Sequence, residues 1–440
     1  MIAPQAALGD ALASALSAAG IEAEARANAE NANCALIASA LGVGEPQALY
    51  WAVFEAAREA RAAGARELII LQDGGGAFRY GQDGGWRAGV AGFVRTARRE
   101  WPEISIRVVD VAASELSPED IATAVVRALA TGAGDVGIDS GRGPVAPSYE
   151  RAPAPRDVPS SGRASVWVVS GGARGVTPDC VIAVARKSGG HFALLGRSEM
   201  TPWPEGIPAS HDLGELRKHL AKAAIARGEK PRPAQIDAEA RQAMGGEEIR
   251  ATLAAIEAAG GEAAYFSCDI ADAEAVGRVI GEVEARFGQV TGLIHGAGVL
   301  ADCWITDKTR EDFEKVYRTK VGGLQALLDA VERRRLTHLA LFSSAAAQFG
   351  NPGQSDYAVA NEVLNRVAHR LKAEMPDVRV KSFNWGPWDG GMVTEAHASH
   401  FRALGVPLIP RQAGAEVFAD QLLCGARDSV ELVIGEPWKA

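Results

Sequence analysis

The sequence contains few cysteines, and none of them fall in a metal-binding pattern. There are five, an odd number, and they lie far apart with no CxxC spacing: Cys34, Cys180, Cys268, Cys303 and Cys424. This distribution argues against a cysteine zinc site and against a dithiol redox motif. It favours reduced thiols in a cytosolic compartment. We therefore expect no metal and a cytoplasmic protein.

Long apolar runs and excess positive charge are also missing. No stretch approaches the roughly 20 apolar residues that cross a bilayer. The 55 acidic and 46 basic residues give a net charge of -9, which argues against nucleic acid as a partner. The Ala-rich N-terminus resembles a signal peptide, but Asp10 interrupts it and no Lys or Arg precedes Arg26. We predict a helix there, and no membrane insertion.

At 440 residues, 47% of them hydrophobic, the chain can form two or three domains with cores of their own. Between Arg142 and Arg163, five prolines remove backbone donors that a helix or a central strand needs. This linker predicts a domain boundary. We expect one domain over residues 1–150 and another over residues 164–440.

After the linker, seven short apolar runs alternate with segments of helical period. The runs are "SVWVVSGG", "HFALLGR", "AAYFSCDI", "VTGLIHGAG", "HLALFSSAAA", "VRVKSFNWG" and "VELVIG". Strands separated by helix-length connections predict a parallel sheet covered on both faces, hence a Rossmann-type, doubly wound α/β fold. Before the linker, residues 67–73 and 88–112 show a thinner version of the pattern, which predicts a truncated copy of the same α/β unit.

A glycine-rich loop follows the first of these strands. In "SGGARGVTPD", Gly171, Gly172 and Gly175 accompany Arg174 and Val176. Glycines here let the chain turn tightly and bring backbone N–H groups and a helix N-terminus against a pyrophosphate. The loop indicates a dinucleotide site, and a glycine-rich turn without a ligand is the alternative.

The second strand ends in Arg197 and Ser198, where dinucleotide folds meet the adenosine ribose. NAD-specific sites place an acid here, whereas an arginine suits the 2′-phosphate of NADPH. We predict NADPH, with an unliganded surface arginine as the alternative. The next two strands place Asp269 near an adenine edge, and Gly296 and Gly298 beside a ribose.

Ser344 and Tyr357 are candidate catalytic residues, one ending the fifth strand and the other beginning the next helix. Ligands bind at the carboxyl ends of parallel strands, so both can face one crevice. The phenol can donate a proton to a carbonyl oxygen if a nearby cation lowers its pKa. Asn361 lies one helical turn after Tyr357, but its amide is not a cation. Lys320, upstream, can supply the charge, although a lysine on a helix is most often a solvated surface residue.

These motifs resemble the ketoreductase domains of modular polyketide synthases and related fatty acid synthases, within the short-chain dehydrogenase/reductase superfamily. In that superfamily a lysine follows the tyrosine by four residues, and an asparagine lies on the preceding helix; in synthase ketoreductases the two exchange places. This chain has the exchanged set Lys320, Ser344, Tyr357 and Asn361. The resemblance covers Ser165 to about Gly435. The first half looks like the catalytically inert structural subdomain that precedes such ketoreductases.

The resemblance is greatest to the ketoreductase of polyunsaturated fatty acid synthases. The long connection after "GRS" looks like their insertion, and "NWGPWDGGMVT" is similar to their loop over the nicotinamide. The resemblance implies NADPH-dependent reduction of a β-ketoacyl thioester on the phosphopantetheine arm of an acyl carrier protein. It also implies neighbouring synthase domains as partners and a lid over residues 396–404. The length and abrupt ends of the chain suggest a piece of a larger synthase.

The resemblance extends to the contact residues. For the cofactor it implies Gly171, Gly172, Arg174, Gly175, Val176, Arg197, Ser198, Asp269, Ile270, Gly296, Ala297, Gly298, Lys320, Tyr357, Pro387, Val393 and Thr394. For the substrate it implies Leu300, Asp302, Phe349, Trp388 and Met392.

Two features of the sequence bear on the stereochemistry of the product. Leu300 and Asp302 match the Leu-Asp-Asp motif of ketoreductases that make the D-hydroxy product, whereas Ala301 does not. Phe349 stands where the opposite type carries tryptophan. We expect the (3R) alcohol.

Two other functions fit parts of the sequence. One is a catalytically silent structural domain of a synthase, which the intact Lys, Ser, Tyr and Asn set argues against. The other is a free-standing reductase of small ketones, which needs only about one domain and leaves the first half unexplained.

Overall fold

The computed structural model describes residues 6–18, 20–22, 24, 33–42, 44–79, 85–113, 115–132, 134–138, 143–153, 155, 165–210, 212–391, 398–399, 401–402 and 405–436. The strands are β1 (Cys34–Ile37), β2 (Glu67–Asp73), β3 (Ser105–Val111), β4 (Asp135–Ile138), β5 (Val166–Ser170), β6 (Gly190–Gly196), β7 (Gly261–Ser267), β8 (Gly292–His295), β9 (His338–Ser344), β10 (Arg379–Trp385) and β11 (Glu431–Ile434).

The α-helices are α1 (Ala6–Ala18), α2 (Pro46–Ala62), α3 (Val90–Glu100), α4 (Pro118–Thr131), α5 (Thr177–Ser188), α6 (Leu213–Ala226), α7 (Pro233–Ala258), α8 (Ala273–Phe287), α9 (Arg310–Tyr317), α10 (Gly323–Ala330), α11 (Ala345–Phe349), α12 (Ser355–Glu374) and α13 (Arg411–Cys424). Residues 6–138 are called the N-terminal region below, and residues 165–436 the C-terminal region.

The C-terminal region contains a seven-stranded parallel sheet in the order β7-β6-β5-β8-β9-β10-β11. All seven predicted strands are present, and the predicted doubly wound fold is confirmed. Every residue of β5 is buried, because helices cover both faces of the sheet. The strand order reverses between β5 and β8, and a crevice opens there at the carboxyl ends of the strands.

The N-terminal region forms a second parallel sheet, in the order β1-β2-β3-β4. The predicted truncated α/β unit therefore has a sheet of its own. The Ala-rich segment near the N-terminus is a helix, as predicted, and packs Leu12 and Leu16 into a core with β2 and β3.

The two regions share one apolar core. Phe54 of α2 lies 4.5 Å from Phe93 of α3 and 5.2 Å from Phe313 of α9, measured between ring centroids. The backbones of α3 and α12 also touch, because a Cβ placed on Gly92 would overlap the carbonyl group of Ala358. The N-terminal region is thus packed directly against the helix that carries Tyr357.

Charged side chains are buried where α3 and α12 meet. Arg95 of α3 lies 2.9 Å from Asp135 and 3.5 Å from Glu362 of α12. Glu362 also pairs with Arg366 at 3.3 Å, and Arg366 reaches Glu431 on β11. Each carboxylate has an arginine beside it, as buried charges require.

The long connection after β6 folds as a helical hairpin. Leu216 and Leu220 of α6 pack against Ile236 and Ala240 of α7 in a small separate core. The second half of α7 continues over the glycine loop, where Thr252 Oγ1 donates to the carbonyl oxygen of Ala173 at 3.1 Å. Within the described part of the chain, no helix combines the length and the apolar character needed to cross a membrane.

Replacing Gly92 with alanine should weaken the contact between α3 and α12, because the new Cβ would overlap backbone atoms that cannot rotate away. We expect a loss of about 1–3 kcal/mol in the free energy of unfolding, measured by urea denaturation. The matched control is Gly277→Ala in α8, where a Cβ meets nothing within 4 Å. That change should stabilise by about 0.5–1 kcal/mol, and equal effects of the two substitutions would contradict the proposed contact.

Candidate active site

A cavity of about 1270 Å³ lies at the carboxyl ends of the C-terminal strands. Most of the predicted site residues line this cavity together, because the parallel strands that lead to them all end at the same edge of the sheet. They are Gly171, Arg174, Gly175, Val176, Arg197, Ser198, Ile270, Gly296, Ala297, Gly298, Leu300, Asp302, Lys320, Ser344, Tyr357, Pro387 and Trp388.

Four predicted residues do not line the cavity. Asn361 lies behind Tyr357, and Gly172 packs against the side chain of Val169. Asp269 accepts a hydrogen bond from Ala271 N at 3.0 Å. The ring of Phe349 packs against Tyr149, with 5.8 Å between centroids. Met392, Val393 and Thr394 lie outside the described residues, as do the ends of the predicted lid, residues 396 and 404.

The glycine loop has the shape that a pyrophosphate cradle needs. Gly171 has φ of 67°, and a Cβ there would lie 2.8 Å from Ala297 N, so both conformation and space require glycine. A Cβ on Gly175 would instead point into open space. The loop leads into the N-terminus of α5, which favours an anion. Arg411 holds the loop by donating to the carbonyl oxygen of Gly175 at 3.0 Å.

Lys320 reaches the cavity from a short π-helical turn, Arg318–Gly322, between α9 and α10. Such turns insert one extra residue and are frequent at functional sites. Lys320 Nζ donates to the carbonyl oxygen of Phe342 at 2.7 Å and lies 5.2 Å from the centroid of the Tyr357 ring. The lysine is therefore a buried cavity residue rather than a solvated one.

A buried histidine, which the sequence analysis missed, fixes this turn. His295 ends β8, and its Nε2 lies 2.8 Å from the carbonyl oxygen of Lys320. Since that oxygen can only accept, Nε2 carries the proton, and Nδ1 accepts from Ser170 Oγ at 2.7 Å. Ser170, His295 and Lys320 thus join the ends of two strands to the π-helical turn.

The tyrosine and the lysine have pKa values shifted by burial. Burial raises the pKa of Tyr357 to about 12, against a smaller opposing effect of the Asn361 amide. Burial lowers the pKa of Lys320 to about 7. Without a ligand, the phenol therefore keeps its proton at neutral pH, which is the form that can act as an acid.

Ser344 and Asn361 are held by neighbouring backbone groups. Ser344 Oγ accepts from Ala346 N at 3.1 Å, at the start of α11. Asn361 Nδ2 donates to the backbone oxygen of Tyr357 at 2.8 Å. Asn361 Oδ1 is buried and has no hydrogen-bond donor among the described residues, so it is open to a water or a ligand.

The opposite end of the cavity is built partly by the hairpin. Glu248 of α7 pairs with Arg174, and both side chains are about half exposed. Tyr265 of β7 donates to the carbonyl oxygen of Ser198 at 2.5 Å. The sequence identified the arginines but not Glu248, because an acid on a helix carries no local sign of its partner.

The segment between β8 and α9 forms another wall. Leu300, Asp302 and Trp304 line the cavity there, and Asp302 Oδ2 accepts from Gln354 Nε2 at 3.0 Å. The indole of Trp304 is an exposed aromatic group at this wall. These residues face the turn that precedes Tyr357.

Comparison with known proteins agrees with this geometry. Residues 165–390 match the KR domain family. The chain belongs to this family. Membership implies that it is a ketoreductase domain, an oxidoreductase that works with a nicotinamide cofactor.

Similar proteins are parts of multidomain synthases. This ketoreductase domain is 39% identical over 384 residues to one of the subunits of a polyunsaturated fatty acid synthase from Thraustochytrium, covering 84% of this chain and 13% of the relative. It is 35% identical over 169 residues to one of the subunits of the phenolphthiocerol/phthiocerol polyketide synthase from Mycobacterium tuberculosis, covering 38% of this chain and 7% of the relative. The chain thus spans a small part of these relatives.

Solved structures support the fold. A ketoreductase domain from the bacillaene assembly line superimposes with a TM-score of 0.69 at 20% identity, covering 98% of this chain and 90% of that one. An A1-type ketoreductase gives a TM-score of 0.70 at 21% identity, covering 98% of this chain and 80% of that one.

The buried His295 should make the stability of this ketoreductase domain depend on pH. Burial, together with Lys320, lowers the pKa of the imidazole from 6.5 to about 3. As the pH falls, the unfolded chain protonates His295 before the folded chain does. The contribution of the neutral imidazole to the free energy of unfolding is therefore complete above pH 6.5 and is lost as the pH falls towards 3.

We therefore expect His295→Gln to flatten the dependence of the free energy of unfolding on pH between 7 and 4. The slope of a single group is at most about 1.4 kcal/mol per pH unit, and urea denaturation at several pH values measures it. Parallel slopes in the parent chain and the variant would contradict the assignment.

Proposed function

We propose that this ketoreductase domain uses NADPH to reduce a β-ketoacyl thioester, carried on an acyl carrier protein, to the (3R)-hydroxyacyl thioester. The proposal rests mainly on one observation: Ser344, Tyr357 and Lys320 line one cavity together with a glycine loop. The similarity to synthase subunits supports polyunsaturated fatty acid or polyketide biosynthesis as the setting, with neighbouring synthase domains as partners.

The residues at the deep end of the cavity provide the acid chemistry. The hydroxyls of Ser344 and Tyr357 hydrogen-bond the ketone oxygen, and Tyr357 delivers its proton as the alcohol forms. NADPH, when bound, would supply the hydride. Lys320 favours release of the phenol proton through its charge, and Asn361 Oδ1 orients a water or the lysine.

The charges at the other end of the cavity support NADPH over NADH. Arg411 pairs with Asp179, and Arg174 pairs with Glu248. Arg197 is exposed at the end of β6, with no salt bridge to any residue that the structure describes. A guanidinium in this position suits the ribose 2′-phosphate.

The remaining assignments follow the sequence pattern. We propose that Leu300 and Asp302 direct the (3R) outcome, and that Trp388 contacts the acyl chain within the cavity. We also propose that residues 1–150 form the structural subdomain of the ketoreductase and residues 164–440 its catalytic, NADPH-binding subdomain.

Tyr357→Phe should reduce the kcat for a β-ketoacyl thioester with NADPH by about 10²–10⁴-fold, because the proton donor is removed. Binding of NADPH, followed by its fluorescence, should change little. Tyr317→Phe, in a buried tyrosine of α9 outside the cavity, serves as the control and should keep parental rates. A fully active Tyr357→Phe variant would refute the mechanism.

Arg197→Ala should raise the KM for NADPH by about 10- to 100-fold and leave the KM for NADH nearly unchanged, since one or two charge-assisted hydrogen bonds are lost. Steady-state kinetics with both cofactors measures this. Arg186→Ala, in an exposed arginine on α5 paired with Glu416, is the matched control. An unchanged NADPH preference in Arg197→Ala would remove this residue from the cofactor site.

A further inference from the structure

One face of α3 connects the N-terminal region to the catalytic end of the C-terminal region. Arg95 Nη1 donates to the backbone oxygen of Ala347 at 2.7 Å. One turn later, Arg99 Nε donates to the backbone oxygen of Phe349 at 2.6 Å. Both acceptors belong to α11, which lies between Ser344 and Tyr357. The N-terminal region therefore holds the segment that separates the two candidate catalytic residues.

Glu100, the last residue of α3, joins two further segments. Its Oε2 accepts from Ile305 N at 2.7 Å, and its Oε1 accepts from Gly353 N at 2.8 Å. Ile305 lies within residues 301–308, called the wall segment here, which lines the cavity through Asp302 and Trp304. One carboxylate thus sets the spacing between the wall segment and the turn before Tyr357.

Lys308 makes the same connection from the wall segment itself. Its Nζ lies 3.0 Å from Asp356 Oδ2, and the two side chains are 0% and 1% exposed. The same ammonium donates to the backbone oxygens of Ala301 and, at 3.4 Å, of Gly353. Asp356 Oδ1 in turn accepts from Tyr357 N at 2.8 Å. A buried pair of this kind tolerates little movement, because separating the charges leaves each uncompensated.

We propose that Glu100 and Lys308 are positioning residues of the ketoreductase. They hold the wall segment against the turn before Tyr357, and so set where the ketone lies relative to the phenol. The N-terminal region thereby contributes to the reaction through Glu100, although no residue of it lines the cavity among those that the structure describes. The inference rests on the proposed function, since it assumes that the cavity binds a keto substrate.

Glu100→Gln tests the proposal. Glutamine has the same shape as glutamate, but only its oxygen can accept a hydrogen bond. Its NH₂ group is a donor and would face the other backbone N–H, so one of the two hydrogen bonds is lost. We expect kcat/KM for a β-ketoacyl thioester to fall by about 10- to 100-fold, mainly through kcat, because small displacements of the reacting atoms slow the chemical step. The Kd of NADPH, measured by fluorescence, should stay within about twofold of the parent, because the glycine loop is not touched.

Two further variants make the test specific. Glu103→Gln changes an exposed acid that pairs with Arg61 just after α3, and it should keep parental kinetics. Arg58→Gln removes a hydrogen bond of 3.1 Å from α2 to the backbone oxygen of Lys308, and it should lower kcat as Glu100→Gln does, but by less. Unchanged thioester kinetics in Glu100→Gln and Arg58→Gln would overturn the proposal, as would equal weakening of thioester and NADPH binding.

Failure of the proposed function gives a different result. In that case the parent chain itself does not reduce the thioester, and amide hydrogen exchange tests the positioning role instead. Faster exchange at Ile305 and Gly353 in Glu100→Gln than in the parent supports the role. Equal protection in the two proteins overturns it.

Discussion

The packing of α12 against α3 is the constraint on which the active site depends. Tyr357 and Asn361 lie on α12, and the same helix buries Glu362 and Arg366 against the N-terminal region. Burial raises the pKa of Glu362 even though Arg366 and Arg95 lower it. Such a carboxylate is tolerated only while its arginines stay in place, because a buried charge without a partner is strongly destabilising. The position of α12, and with it that of the phenol, therefore depends on α3.

The exchange of lysine and asparagine depends on several features at once. Lys320 approaches Tyr357 from a π-helical turn, whose backbone is fixed by the hydrogen bond between its carbonyl oxygen and His295. The lysine stem passes beside Gly298, where a Cβ would lie 2.9 Å from Lys320 Cε. The extra residue of the turn, the histidine and the glycine therefore together shape the path of the lysine side chain towards the ring. The position of Lys320 thus depends on more residues than the four that the resemblance picks out.

Much of this arrangement could be predicted because its signals are local. Strand positions follow from short apolar runs, and the glycine loop and Tyr357 follow from spacing within a few dozen residues. Contacts between distant segments leave no such signal. Glu100 and Gly353 are 253 residues apart, and nothing near Glu100 in the sequence distinguishes it from the exposed Glu103. The family resemblance implies Phe349 as a substrate residue, yet its ring packs against Tyr149.

The charge of Lys320 depends on what occupies the cavity. The lysine is buried beside a carbonyl oxygen and an aromatic ring, and none of the salt bridges among the described residues includes it. Desolvation alone accounts for the fall of its pKa to about 7. An anionic group within about 4–6 Å would favour the ammonium form and raise that pKa again. Ligand binding and the cationic state of Lys320 are therefore linked, and in the proposed mechanism the charge beside Tyr357 is fully established only when an anionic group lies near the lysine.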